Sequence, residues 1–472
     1  MNLKKILSNF TIAFLAQAIS LILSFTTSLI VPKLLGVQQF GYWQLFIFYS
    51  SYAGLFHFGL NDGIYLIYGG QTRSNINKGD ISCLFRIEIC FQLVLSIILV
   101  TLTSIFVTDK ERVIVITATG IYITIFNLSN YIWNLFQAIN ETKLYSKSVI
   151  ISKLSFLVLL IILLILKVQY FQPFILAFIF SQTCALIYCI LHGRVLLFAN
   201  FDNLKRPIGL LLNTIRVGIM LTLSNLAAMV TVGVARFVVD NAWGIEEFGQ
   251  FSLAISLVNF ALMFVTQLAM VLYPALRQSN GSQIVHAFSF MRSSLSIFLP
   301  VIYVFFFPVC WLLERWLPSY TDAFYYFGLL LPICLFDSKM NLVGVTFLKV
   351  KRKEKVLLLI NLCTVLITIL LVLISVYIFH SITAISFSLV MTMCVRGIYT
   401  EKYVEKLLDT KVNYIVLWEC VISISFILSY IFIPSYSCWI VVFIYFLLVY
   451  YNRAQIYDIF KLISVKRKDS NK

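Results

Sequence analysis

Gly36-Val37-Gln38-Gln39-Phe40-Gly41 returns 208 positions later as Gly244-Ile245-Glu246-Glu247-Phe248-Gly249, each copy between two long apolar segments. Continuing the alignment without gaps pairs Val31 with Val239, Leu45 with Leu253 and Ile47 with Ile255, and sets Gln17 opposite Asn225. The match extends well beyond one turn, so the chain reads as a duplicated unit. Gly36 and Gly244 read as the residues that stop a helix on the outer side. The polar pairs Gln38-Gln39 and Glu246-Glu247 then sit at the water interface, and Gly41 and Gly249 permit tight passage into the next helix. The motif is thus a structural hairpin first and a ligand contact second.

The composition fixes the class. The chain of 472 residues is 61% hydrophobic and only 12% charged, with a mean hydropathy of +0.94, whereas charged residues make up about a quarter of an ordinary soluble domain. Spanning helices need roughly 20 apolar residues each. Fourteen such stretches are expected, the first near Phe10 and the last near Tyr436, within one or two because 374–385 and 427–439 each read equally as a short re-entrant turn. The 208-residue offset divides them into a six-helix lobe over 1–206, a second over 207–410, and an extra pair with a basic tail over 411–472. The expected fold is therefore an all-α polytopic membrane protein. Each lobe has an even number of helices, so the two copies keep one orientation across the bilayer. Parallel repeats of this kind are a transporter architecture, with the substrate held between the halves.

Charge placement supports the same layout. Most of the 36 Lys and Arg fall in segments that lie on one side if Met1 is cytoplasmic, including the run Lys349 to Lys355 and the C-terminal tail; the opposite loops hold only Lys33, Lys110, Arg112, Lys167 and Arg315. Both termini are expected in the cytoplasm. The net charge of +16 then reflects topology and anionic headgroups, and nucleic-acid binding is a poor reading of it. Lys4 and Lys5 precede an apolar run too long for a signal peptide, so a retained first helix is expected. The ten cysteines and the four histidines are scattered without ligand spacing, so no metal and no disulfide is expected. Loops are too short for a soluble domain.

Leu35-Gly36-Val37-Gln38-Gln39-Phe40-Gly41, the segment Gly59-Leu60-Asn61-Asp62-Gly63 and the second copy at Gly244 together resemble the polysaccharide-exporter flippases, the Wzx-type members of the multidrug/oligosaccharidyl-lipid/polysaccharide (MOP) superfamily. The resemblance covers about residues 8 to 450 in layout. It implies two bundles forming a V around a central cavity, rocking between inward-open and outward-open states. The cargo it implies is an undecaprenyl-diphosphate-linked oligosaccharide repeat unit, moved from the cytoplasmic to the outer leaflet of the bacterial inner membrane for O-antigen, capsule or another surface polysaccharide. Membrane lipids and a glycan polymerase with its assembly proteins are the implied partners. Gln38-Gln39 departs from the acidic pair often seen in that family, whereas Glu246-Glu247 keeps it.

A lipid-linked glycan asks for cationic donors at its diphosphate and a polar, aromatic lining at its sugars. Ionisable groups inside a membrane are expensive and mark function by default. Lys339 and Asp337 fall near the midpoint of one expected helix, shortly after Pro332, and point to different sides, so each needs another partner or water. Lys339 reads as a diphosphate contact or as half of a structural ion pair. Arg236 lies eleven residues after Asn225, three helical turns on and on the same face; it binds phosphate or pairs with Asp240. Arg216, Arg86 and Arg396 lie near cytoplasmic helix ends, where they snorkel to headgroups or take up a diphosphate. Asp62, Glu88 and Asp337 are the acidic candidates for coupling to a proton or sodium gradient, with an Asp62–Arg86 pair as the plain reading. Asn127, Asn130, Asn134 and Gln137 form one polar face, with Tyr131 and Trp133 nearby to stack on sugars; Gln17, Ser20, Ser24 and Thr27 form another. In lipid such faces line a cavity or hold helices together.

Two other functions compete. A multidrug antiporter shares the fold, and the five basic against three acidic in-helix candidates lean away from its cationic cargo. A membrane enzyme of the same pathway needs catalytic residues in large outer loops, and the chain has no such loop; the spacing His-x4-Asp occurs once, at His57 and Asp62.

Overall fold

The computed structural model describes residues 18–199, 207–277, 281–410 and 415–453, with the side chains at 228, 264, 266–275, 277 and 415 left aside. Among the described residues every regular element is helical. After a π-helical turn at Thr26–Ile30 come α1 (Val31–Ser51), α2 (Leu60–Ile67), α3 (Lys78–Phe106), α4 (Lys110–Ala138), α5 (Thr142–Ile165) and α6 (Phe171–Leu197). The chain continues through α7 (Pro207–Trp243), α8 (Ile245–Arg277), α9 (Gly281–Phe298), α10 (Val301–Trp316), α11 (Thr321–Leu330) and α12 (Pro332–Lys339). A π-helical stretch, Met340–Val345, leads on, and α13 (Glu354–Tyr377), α14 (Ile382–Leu407), α15 (Ile415–Phe432) and α16 (Pro434–Tyr451) complete the order.

Ten of the described helices are long and apolar enough to cross a membrane, or eleven if Pro318–Leu330 and Pro332–Val350, bent by 43°, make one span. The described parts of the fourteen segments expected from sequence fall on helices; the first segment begins outside the described residues. The first two are continuous in Ala18–His57, where Gly36, at φ 72° and ψ 172°, breaks the helix. The two doubtful stretches are short turns, one between α13 and α14 and one at Ile433 between α15 and α16. The 208-residue offset also carries Lys110, where α4 starts, onto Pro318, where the bent span begins.

Local chemistry sets several helix starts. The Asn77 side chain accepts from the Gly79 and Asp80 amides, Asp109 from those of Glu111 and Arg112, and Ser381 from that of Ala384, each satisfying amide donors that the first turn leaves open. Packing divides the chain into two compact units: 1–229 with 243–249, and 230–242 with 250–472. In the first, Leu60, Ile64, Leu84, Phe85, Tyr131 and Leu135 belong to one buried core, and Trp43 packs among Phe46, Phe156, Phe174 and Phe178. In the second, Phe288, Phe347, Leu357 and Val404 share another.

The two copies of the repeated hexapeptide touch each other inside the first unit. A Cβ on Gly249 would lie 2.9 Å from the Gly41 Cα and 3.1 Å from the Val37 carbonyl oxygen, and one on Gly41 would meet the Ile245 carbonyl oxygen. Val37 and Ile245 are equivalent in the repeat, as are Gly41 and Gly249, so the contact is reciprocal. Its second glycine thus serves close backbone approach, a different role from the passage into the next helix expected from sequence. The first serves conformation: Gly36 and Gly244 sit at φ 72° and 88° with nothing near a prospective Cβ. The other glycine pair, Gly59 and Gly63, opens the same kind of contact. A Cβ on Gly63 would strike the Thr214 carbonyl, and one on Gly218 the Gly59 carbonyl and the Gly63 amide, so α2 and α7 meet through their backbones, the small-xxx-small geometry of membrane helices.

Leucine at Gly41 or Gly249 has no space and is expected to abolish the monodisperse detergent-solubilised protein. Gly244→Ala, strained by its positive φ, is expected to lower stability by about 1–2 kcal/mol, while Gly281→Ala, with open space around it, leaves it unchanged. Thermal unfolding of the purified variants checks this; equal midpoints for Gly244→Ala and Gly281→Ala would reject the conformational argument.

Candidate functional site

The second unit buries an ion network. The Lys339 ammonium lies 2.7 Å from Glu419 Oε1 and 2.6 Å from Glu401 Oε2; Arg292 lies 2.8 Å from Glu405 Oε1 and 3.9 Å from Glu401 Oε1. All five side chains are buried, Lys339 at 4% exposure and Glu419 at 1%. Asp337 turns elsewhere, with Oδ1 3.5 Å from Arg396 Nη2 and Oδ2 accepting from the Asn341 amide at 3.0 Å. The two side chains therefore take separate partners, as their spacing requires. Lys339 on α12 fastens α14 through Glu401 and α15 through Glu419. With two carboxylates already on its ammonium, it is committed to those helices.

Sequence reading missed four members of this network. Arg292 counts among the basic residues of the cytoplasmic segments, and Glu401 and Glu405 were not singled out, because α9 and α14 run past their most apolar stretches. Glu419 carried a signal: it is the single charged residue in α15, and the rule that singled out Lys339 applies to it equally. With these groups inside, the in-helix count no longer leans toward bases, so that argument against a cationic cargo is withdrawn.

The first unit buries a chain of amides. The Gln92 amide donates to the Phe56 carbonyl at 2.8 Å and to Glu88 Oε1 at 3.0 Å, and its oxygen accepts from the Asn127 amide at 3.1 Å. The Asn61 amide donates to the Asn127 carbonyl at 3.0 Å. Glu88, Gln92, Asn127 and Asn61 are all inaccessible or nearly so. Asp62 beside them accepts from the Thr222 hydroxyl at 2.5 Å. Of the polar face on α4, Asn127 is buried in this chain, and Asn130, Asn134 and Gln137 are half-buried. The Tyr131 ring is wholly buried against Phe85 and its hydroxyl donates to the Ile81 carbonyl at 2.8 Å. Trp133 packs edge-on to Phe126 and Tyr145.

On α7, Arg216 and Asn225 are exposed, as Arg86 is on α3. Arg236 is half-buried and its Nε donates to the Ser252 hydroxyl at 3.2 Å. Gln17 lies outside the described residues. No group of three or more His, Cys, Asp or Glu is placed to hold a metal ion among the described residues.

Removing one partner from a buried ion pair strands the other charge, at a cost of about 3–5 kcal/mol. Lys339→Met is therefore expected to lower the thermal midpoint sharply, and Lys339→Met with Glu419→Gln to recover part of the loss, a coupling that a double-mutant cycle reads. Additive losses in the cycle would show that the two groups do not share one network.

Comparison with known proteins follows the same lines. The family of polysaccharide biosynthesis proteins matches residues 6–280. No match was found among curated proteins. Among solved structures, an inward-facing multidrug-resistance MATE transporter of the MOP superfamily superposes at a TM-score of 0.61 with 13% identity, over 81% of this chain and 94% of that one. The lipid II flippase MurJ in an inward closed conformation gives 0.59 and 12%, over 95% and 100%. A MOP superfamily transporter from Pyrococcus furiosus gives 0.51 and 14%, over 85% and 93%. At these identities the likeness is one of fold: this is a multi-pass membrane protein with the MOP transporter fold. The match over more than half of its length establishes that the chain belongs to the polysaccharide biosynthesis protein family.

Proposed function

We propose that the chain is a flippase that carries a polyprenyl-diphosphate-linked oligosaccharide repeat unit from the cytoplasmic to the outer leaflet of the bacterial inner membrane, with both of its termini in the cytoplasm. Membership in the polysaccharide biosynthesis family carries this reading, and the fold shared with a lipid II flippase over nearly the whole chain supports it. Alternating access between the two repeats, driven by an ion gradient, supplies the motion.

The residues divide by their exposure. Arg216, Asn225 and Arg86 are exposed, and an arginine grips a diphosphate through two parallel hydrogen bonds. Arg236 already holds Ser252 and serves as a secondary contact. Lys339 acts by positioning helices. The half-buried Asn130, Asn134 and Gln137 supply the polar lining for the sugars. Transport of cationic drugs is the second reading, because the MATE fold is the same.

Deletion of the gene is expected to accumulate lipid-linked glycan on the cytoplasmic leaflet, and Arg216→Ala with Arg86→Ala to reproduce that accumulation while the protein still inserts. Lipid-linked glycan measured in spheroplasts and surface glycan measured on whole cells separate the outcomes. Normal glycan display in the double variant removes the diphosphate assignment, and normal display in the deletion, with raised drug sensitivity, moves the chain to the second reading.

A further inference from the structure

Cys394 on α14 and Cys420 on α15 stand 26 positions apart, a spacing that carries no motif and predicts no disulfide. The fold of the second unit nevertheless brings them together, because their thiols are hydrogen-bonded to each other. Both are free and half-buried. Thiols already in contact across two helices need only side-chain rotation and a small approach to reach the geometry of a disulfide.

The pair also lines a cavity of about 310 Å³ between α12, α14 and α15, a volume at the lower end of small-molecule sites. Phe336 in its wall is buried, whereas Met391, Ile424 and Leu428 are exposed, so the cavity opens on the outer surface of α14 and α15. On a membrane protein that surface meets hydrocarbon. Apart from the two thiols, Ser423 is the one lining residue with a polar side chain, and its hydroxyl is already engaged by the Glu419 carbonyl and the Tyr303 hydroxyl, each at 2.7 Å. Water finds too few partners there to stay. What enters is apolar.

A thiol in apolar surroundings is ordinarily inert, because the thiolate is the nucleophile. This pair differs in that each sulfur has the other thiol as its hydrogen-bond partner, so one can support the charge that develops on the other. Cys420 also feels the Lys339 and Lys402 ammonium groups, which work against the neighbouring Glu419 carboxylate. A charged oxidant such as glutathione disulfide does not partition into an apolar cavity, so an electron acceptor for these thiols must be dissolved in the membrane.

We propose that Cys394 and Cys420 are a redox pair, oxidised to a disulfide by a quinone that enters the cavity from the membrane. Both S–H bonds break and one S–S bond forms; the two electrons and two protons pass to the quinone, whose two carbonyl oxygens become the hydroxyls of a quinol. The disulfide ties α14 to α15 beside Glu419, the residue through which Lys339 holds the same helix, and so makes that junction covalent. Its chemistry is read without glycan and does not rest on the flippase reading.

The test uses the full-length chain, reduced and purified without oxygen in phospholipid nanodiscs, with a short-tailed benzoquinone as the probe. Mass spectrometry of the unreduced digest reads the disulfide, and ultraviolet absorbance reads the quinol. About one Cys394–Cys420 disulfide and one quinol per chain are expected, formed at least about tenfold faster than with glutathione disulfide at the same concentration. The thermal midpoint is expected to rise by several degrees on oxidation. Cys394→Ser and Cys420→Ser are each expected to stop both products, and Cys184→Ser to stop neither. No disulfide at this pair with quinone overturns the proposal; so does equal speed with glutathione disulfide, the mark of a water-open site, or quinol formation that persists in Cys394→Ser. Should the serine variants fail to fold, the two oxidants compared on the natural chain still decide.

Discussion

The reciprocal contact of Gly41 with Gly249 brings two helix backbones of the first unit closer than any side chain would allow, and much else follows from it. Lipid hydrocarbon offers nothing like the driving force that water gives to a soluble core, so membrane helices associate through close packing and hydrogen bonds between them. A glycine at each contact lets carbonyl oxygens and α-carbons approach to distances that any side chain forbids. The duplication made this inexpensive in sequence terms, because one hexapeptide copied twice supplies both faces of a two-fold contact. The Gly59, Gly63 and Gly218 cluster applies the same device between α2 and α7, and it brings Asn61 and Asp62 into the interior with it.

Once helices pack that tightly, every polar group inside them must be answered by protein or by a bound ion. The two units answer differently. In the second, Lys339 and Arg292 meet Glu401, Glu405 and Glu419, so charges neutralise one another and the network ties four helices. In the first, amides stand in for charges.

These distinctions bear on how far the sequence was readable. The apolar runs gave the helical segments and the hexapeptide the break at Gly36, because glycine conformation and hydrophobic length are local properties. The separation of Asp337 from Lys339 followed from helical spacing alone. The partner of each group did not follow, since a contact across helices depends on how each is rotated about its axis. Asn127 illustrates the limit: its place on a polar face of α4 was legible, while its pairing with Gln92 on α3 was not. Arg292, Glu401 and Glu405 were hidden for another reason. Their helices extend beyond the apolar stretch that marks a span, so residues counted as loop lie inside the fold.

Tyr131 and Lys339 stand 208 positions apart, at equivalent places in α4 and in the bent span, and both are buried. Tyrosine at this place needs one acceptor, and the Ile81 backbone supplies it from within the lobe. Lysine needs negative charge, which a backbone carbonyl cannot give in full. One carboxylate, Glu401, comes from α14 inside the repeat; the other, Glu419, comes from α15 outside it. Without α15 the ammonium would keep Glu401 alone, and Glu401 is also shared with Arg292. Lys339, unlike Tyr131, therefore draws α15 into the second unit's interior, which is why the single charge of α15 lies where its hydropathy argues most strongly against one.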